Sequence, residues 1–217
     1  MKVDLRNTRT RWINVESDKT KADQMVELLK KLQYKNAERF NAITSVNVKQ
    51  KNQFYLTHCC GESHFHALEE TILSDNEPVL ILEDDVEVEY KNYLNEFEIP
   101  KGIDALYLGT SQGDGKYEAL PINEFLFRIQ RVFACHAILF LNPAYAKAVI
   151  EDGRNTIYNL NGPFDVTLAY NVQPRFNVCA VQKPFFYQAD SKNTTNLYEG
   201  ITRTPLKSKF KTMSGAS

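Results

Sequence analysis

The chain has 217 residues, with 26 Lys and Arg against 27 Asp and Glu and a formal net charge of -1. That length buries a sizeable core in a single compact domain. The charge balance excludes a global field that recruits nucleic acid or an anionic membrane, so any bound phosphate must be met locally. Residues 3–5 read as a short opening strand, followed by a polar, arginine-rich turn over residues 6–11 and then a helix. In that helix Met25, Val26, Leu28, Leu29 and Leu32 form an apolar stripe opposite Lys and Glu. Residues 39–43 are expected to be the next strand. Residues 61–73 are expected to be helical, with Phe65, Leu68, Ile72 and Leu73 facing inward.

Pro78 opens Val79-Leu80-Ile81-Leu82, an apolar run with no polar alternation, as a strand buried on both faces requires. Further strands are expected at 105–108 and 135–141. A helix is expected at 143–150, where Asn142 supplies a cap and Pro143 a preset first turn. Strands alternating with helices predict an α/β protein with a mixed, Rossmann-like sheet flanked by helices. One domain is expected over residues 1–206, with a loop at 111–118 and a frayed tail at 207–217. Four cysteines give no spaced disulfide framework. There is no apolar leader after Met1 and no run of the roughly 20 apolar residues that a membrane span needs. We therefore expect a cytoplasmic protein without a membrane span.

The residues just after a buried strand border the ligand crevice of an open α/β sheet. Here they are Glu83, Asp84 and Asp85. Three successive carboxylates repel one another, and a divalent cation relieves that repulsion. All-oxygen ligation favours Mn²⁺ or Mg²⁺ over zinc. The plainer alternative is a solvated acidic edge that continues through Glu87 and Glu89. Zinc on His58, Cys59, Cys60, His64 and His66 is not expected, because His-Cys-Cys lacks the usual ligand spacing.

Several segments taken in order resemble glycosyltransferase family 25, which comprises lipopolysaccharide-building and collagen-modifying sugar transferases. They are Val3-Asp4-Leu5-Arg6 with Arg11-Trp12, then Glu38-Arg39-Phe40-Asn41-Ala42, then Gly61-Glu62-Ser63-His64 leading into Glu77-Pro78 and the Val79 to Val86 strand end. Ala105-Leu106-Tyr107-Leu108-Gly109, His136-Ala137-Ile138-Leu139 and Pro163-Phe164-Asp165-Val166 follow in the same order. Glu62 departs from the family pattern by placing a charge in the Ser-His helix.

The resemblance implies a GT-A type fold and a metal-assisted transfer of a hexose or deoxyhexose from a UDP-sugar to a hydroxyl of a glycan or glycoprotein acceptor. It also implies one domain of a larger multidomain protein, with a viral capsid glycoprotein among the acceptors and the host cytoplasm as the compartment. In that reading Asp85 is the direct metal ligand, Asp84 faces the ribose or donor sugar, and Glu83 orients the ligand set. His64 belongs to the donor site through its Ser-His motif. Arg6 and Arg11 follow the first strand and are candidates for the diphosphate or the uracil edge, Arg being suited to forked phosphate contacts. Asp190 and Lys183 are later candidates for the diphosphate, with loop solvation as the alternative.

Asp165 is the expected base for the acceptor hydroxyl, or else a helix cap. His136 is a catalytic candidate, or else a core histidine. Two readings compete with transfer. One is a nucleotide-sugar-binding module without catalysis. The other is a haloacid-type phosphatase, whose Asp-x-Asp-x-Thr order fails here because Glu87 stands at the second Asp.

Overall fold

A computed structural model of the chain describes residues 1–48, 51, 54–110, 118–133 and 135–188. The tail expected at 207–217, all of the loop expected at 111–118 except Glu118, and Asp190 lie outside the described residues. Strands β2 (Arg9–Asn14), β3 (Ala37–Asn41), β4 (Val79–Glu83), β7 (Ala105–Tyr107), β8 (Glu118–Pro121), β9 (Leu126–Gln130), β10 (Ala137–Phe140) and β11 (Val178–Val181) form one mixed sheet. Its order is β3-β2-β4-β10-β7-β11-β9-β8. β2, β3 and β4 are parallel, β10 runs antiparallel between β4 and β7, and β11 is again parallel to β7.

Strand alternation sends successive side chains to opposite faces, and both faces here are covered. Val79 and Ile81, with Ala105, Tyr107, Ile138 and Phe140, pack on the face that buries Phe65, Tyr145 and Phe164. Those three residues belong to helices α2 (Tyr55–Glu69), α4 (Pro143–Asn155) and α5 (Phe164–Thr167). Leu80, Leu82, Leu106 and Leu139 lie on the other face, against Met25 and Leu29 of α1 (Lys19–Lys31). That face also carries two ribbons, β1 (Lys2–Asp4) with β6 (Glu96–Glu98) and β5 (Val86–Val88) with β12 (Phe186–Gln188). The α/β architecture with a large mixed sheet flanked by helices is thus observed. The uninterrupted apolar run of β4 is the strand buried on both sides. Among the described residues no helix is long and apolar enough to cross a membrane.

Three element expectations need correction. Residues 3–5 do not open the main sheet; they overlap β1, a strand of a side ribbon. The first strand of the main sheet is β2, which covers much of the expected turn. Its buried Thr10, Trp12 and Asn14 alternate with Arg9 and Arg11, whose charges hide the strand period until their partners Asp75 and Glu38 are seen. α1 therefore starts only at Lys19, where the Asp18 side chain accepts the Lys21 N–H at 3.1 Å. The helix expected over 61–73 begins earlier, at Tyr55, and ends at Glu69; Ile72–Asp75 is a separate turn, α3.

The seating of α2 on α4 depends on a close approach at Gly153. A Cβ added there would lie 2.2 Å from Cζ of Phe65, which is fully buried. Arg154, the next residue, reaches across to Glu62 and Glu69 on α2. In an exposed helix Gly→Ala stabilises by about 0.5–1 kcal/mol, but overpacking a core costs about 1–3 kcal/mol. We expect the steric cost to win, so that Gly153→Ala lowers stability by about 1–2 kcal/mol in urea unfolding. An unchanged or raised midpoint would show that Phe65 yields and that α2 is not fixed by this contact.

Candidate functional site

The parallel strands β2, β4 and β7 end on the same edge of the sheet, and antiparallel β10 begins there. That edge gathers Asn14, the triplet, Gly109 and His136. The pleat of β4 then divides the triplet. Glu83 continues the Val79–Ile81 parity toward α2, whereas Asp84 continues the Leu80–Leu82 parity toward α1.

On the α2 side, one oxygen of Glu83 meets His64 Nε2 at 3.0 Å and accepts from Cys60 Sγ at 3.6 Å. His136 stands directly across the β4–β10 ladder, its carbonyl accepting the Glu83 N–H at 3.0 Å. Burial raises the Glu83 carboxyl, but the hydrogen bond and charge of His64, with the charge of His136, outweigh it and hold the group below its ordinary value. Gly109 permits this crowding: a Cβ there would fall 2.3 Å from the Phe186 carbonyl oxygen and 2.4 Å from His136 Nε2.

On the α1 side, Asp84 accepts from Asn14 Nδ2 at 2.6 Å and from Lys21 Nζ at 3.1 Å. Arg39 donates in turn to Asn14 Oδ1 at 2.5 Å. Both of these carboxylates are therefore balanced from within the fold.

Asp85 is different. It is 8% exposed, and its Oδ2 accepts from Gln188 Nε2 at 2.9 Å on β12. Its Oδ1 is buried with no hydrogen-bond partner among the described residues. Burial, reinforced by the charge of Glu83, pushes its carboxyl up to about 7. A buried carboxylate oxygen without a donor is costly, and a divalent cation would satisfy it. The donor set suits Mn²⁺ or Mg²⁺, which proteins commonly hold through one or two carboxylates plus substrate phosphates and water.

Asp165 joins the cluster from α5. Burial raises its carboxyl, as does the charge of Glu83, while the N–H groups of Val166 and of Asp165 itself hold it down. α5 begins at Phe164 with Pro163 as its cap residue, so Asp165 sits inside the first turn, where its Oδ1 accepts the Val166 N–H at 3.0 Å, as the cap alternative expected of its carboxylate. The rings of Phe164 and His64 lie 5.8 Å apart and join α5 to α2. His136 precedes β10 rather than lying within it.

The structure brings together His64, Glu83, Asp85, His136 and Asp165, with Asp84 turned to the opposite face. It does not bring Arg6 or Arg11 to them. Arg6 precedes β2 and pairs with Asp4 and Glu96. The amino end of β2 lies level with Val79, a strand length of roughly 13 Å from Glu83. Arg11 lies level with Ile81 and pairs with Glu38. The physical reason is the reassigned strand: the residue at the carboxyl end of the first sheet strand is Asn14, with Val15 next, and Arg6 lies before that strand begins. Lys183, by contrast, is exposed two residues beyond the carboxyl end of β11, on the site edge. Sequence reasoning missed Asn14, Lys21 and Gln188. Strand parity would have found Asn14 once β2 was placed, but only tertiary packing supplies the other two.

No protein-family model and no curated protein matches the chain. Among solved structures it is similar to the "crystal structure of a glycosyltransferase involved in the glycosylation of the major capsid of PBCV-1". The two are 15% identical over 80% of this chain and 81% of that one, with a TM-score of 0.46.

The Asp85 environment predicts a pH dependence for metal-free protein. The folded carboxyl, at about 7 against an ordinary 3.8, holds its proton more tightly than the unfolded one. The native state thus binds more protons between those values, and the contribution to stability falls as pH rises from about 4 to 7. Asp85→Asn, which cannot ionise, is expected to match the wild type near pH 4 and exceed it at pH 8 by on the order of 2–4 kcal/mol. Urea midpoints at the two pH values measure this. An equal loss at both would mean that the carboxyl is not held against its ionisation.

Proposed function

We propose that the chain is a GT-A type glycosyltransferase of the family 25 kind. It moves a hexose or deoxyhexose from a UDP-sugar to a hydroxyl of a glycan or glycoprotein, with a viral capsid glycoprotein among the acceptors and Mn²⁺ or Mg²⁺ as the cofactor. The observation that carries the metal assignment is the buried, unpartnered oxygen of Asp85 at the carboxyl edge of the parallel strands. The ordered sequence landmarks carry the sugar chemistry.

Asp85 would hold the cation. When bound, the ion supplies charge to the diphosphate oxygens, where negative charge grows as the anomeric bond breaks, so the transition state gains more than the ground state. His64 and Cys60 keep Glu83 turned toward α2, and Lys21 and Asn14 keep Asp84 turned toward α1. That leaves Asp85 as the acid of the triplet with a buried oxygen that has no hydrogen-bond partner among the described residues. In this proposal Asp84, held by Asn14 and Lys21, faces the ribose or donor sugar.

Asp165, raised by its burial, is a stronger base than a solvated aspartate and takes the proton of the attacking hydroxyl. His136 backs Glu83 across the ladder. With Arg6 and Arg11 paired to acids of their own, Lys183 on the site edge is the candidate cation for the diphosphate among the described residues, and Asp190 is a further candidate to approach it.

Calorimetry in Mn²⁺ should show UDP binding that Asp85→Asn abolishes while circular dichroism is unchanged. Unaltered affinity would remove Asp85 from the metal site. Asp165→Asn should leave UDP affinity within about twofold yet slow transfer by about 10²–10⁴. Transfer at the wild-type rate would reduce Asp165 to a structural acid. Clear UDP binding with no Mn²⁺-dependent donor hydrolysis would favour a nucleotide-sugar-binding module without catalysis.

A further inference from the structure

The neighbours that hold Glu83 toward α2, Cys60 and His64, are themselves metal-ligating groups. Cys60 and His64 are four residues apart on α2, so they stand side by side on one helix face. That face meets the end of β4. The Cys60 sulfur, a ring nitrogen of His64 and a carboxylate oxygen of Glu83 all lie within 4.8 Å of one another. The sulfur is 3.6 Å and the nitrogen 3.0 Å from the same Glu83 oxygen. In tetrahedral zinc sites, Zn–N and Zn–O of about 2.0–2.2 Å and Zn–S of about 2.3 Å put neighbouring ligand atoms about 3.3–3.7 Å apart. One observed separation falls in that range, and the other is a few tenths of an ångström short.

We propose that Cys60, His64 and Glu83 form a site for a soft divalent ion that prefers nitrogen and sulfur, Zn²⁺ being the type, separate from the oxygen-ligated ion assigned to Asp85. Three protein ligands leave a fourth position open for water or a ligand oxygen. The mixed thiolate, imidazole and carboxylate set selects zinc over Mg²⁺ and Mn²⁺, which favour oxygen alone. Binding replaces the thiol proton by the metal: the S–H bond of Cys60 is exchanged for a sulfur–metal bond, a proton leaves to solvent, and no electron moves. A bound ion would tie α2 to the end of β4 and fix the direction in which Glu83 points.

Sequence spacing pointed away from this site because Glu83 lies 19 residues beyond His64 and is brought to it only by the sheet. Among the four cysteines, Cys59, Cys135 and Cys179 are buried and Cys60 is partly exposed as a residue, while burial and the charge of Glu83 push its thiol up, so the metal must displace a tightly held proton. The proposal does not depend on glycosyl transfer, and its test contains no nucleotide.

The full chain, reduced and stripped of metal, is titrated with Co²⁺ as a coloured stand-in for zinc. A sulfur-to-cobalt charge-transfer band in the ultraviolet should appear with intense visible bands of tetrahedral cobalt, and stoichiometric Zn²⁺ should displace both. Cys60→Ser should lose the charge-transfer band, whereas Cys135→Ser should keep it. Glu83→Gln should weaken cobalt affinity by at least the about 10- to 100-fold that loss of an outer-shell partner costs.

Alkylation of the wild type gives an independent readout: Zn²⁺ should protect Cys60 from iodoacetamide in peptide mapping, and Mg²⁺ should not. This holds even if a variant fails to fold. The absence of the charge-transfer band in wild type, its survival in folded Cys60→Ser, or equal protection by Mg²⁺ would overturn the site.

Discussion

Three consecutive carboxylates at the end of a buried strand are tolerable only because the pleat does not let them face the same way. β4 is packed on both faces, and its alternation turns Glu83 into the layer of α2 and α5 and Asp84 into the layer of α1. Each then meets a different set of counter-groups, His64 and Cys60 for one, Lys21 and Asn14 for the other. Asp85, the second residue past the strand end, has Gln188 as its one hydrogen-bond partner among the described residues. Charge that would otherwise accumulate at one point is spread over three environments, and the imbalance is concentrated on one residue.

That imbalance is what the proposed cation answers. A buried carboxylate must be hydrogen-bonded, protonated or bound to a cation. Near neutrality Asp85 stands between the last two choices, because burial and Glu83 bring its proton affinity to about 7. A small change in local charge therefore moves it a long way. The surrounding structure keeps the geometry fixed: Gly109 lets His136 and the Phe186 carbonyl approach the site edge, and Gly153 lets Phe65 seat α2 against α4. These glycines are far apart in sequence, but each removes a side chain from a place where backbone or ring must come close.

Much of the architecture was legible in the sequence because it follows from period and composition. The apolar run from Val79 to Leu82 announced a strand covered on both faces, and Asn142 followed by Pro143 announced the start of α4, where the Asn142 side chain accepts the Ala144 N–H at 2.9 Å. The acidic strand end was legible for the same reason. β2 was not, since Arg9 and Arg11 interrupt its hydrophobic pattern and are neutralised only by Asp75 and Glu38 from elsewhere. That single misplacement carried Arg6 and Arg11 into the donor site on paper while the fold sets them apart from it. The division of the triplet was unreadable because it requires knowing which helix covers which face. The Cys60–His64–Glu83 cluster was unreadable because its ligands span two elements.

The central claim is that Asp85, rather than Glu83 or Asp84, binds the cation that meets the nucleotide diphosphate. The most direct measurement is the anomalous difference map of a crystal grown with Mn²⁺ and UDP. The account predicts a manganese peak bonded to Asp85 and bridging to the UDP phosphates, with Glu83 still held by His64. A peak ligated by Glu83 or Asp84 without Asp85, or UDP bound at another edge of the sheet, would contradict it.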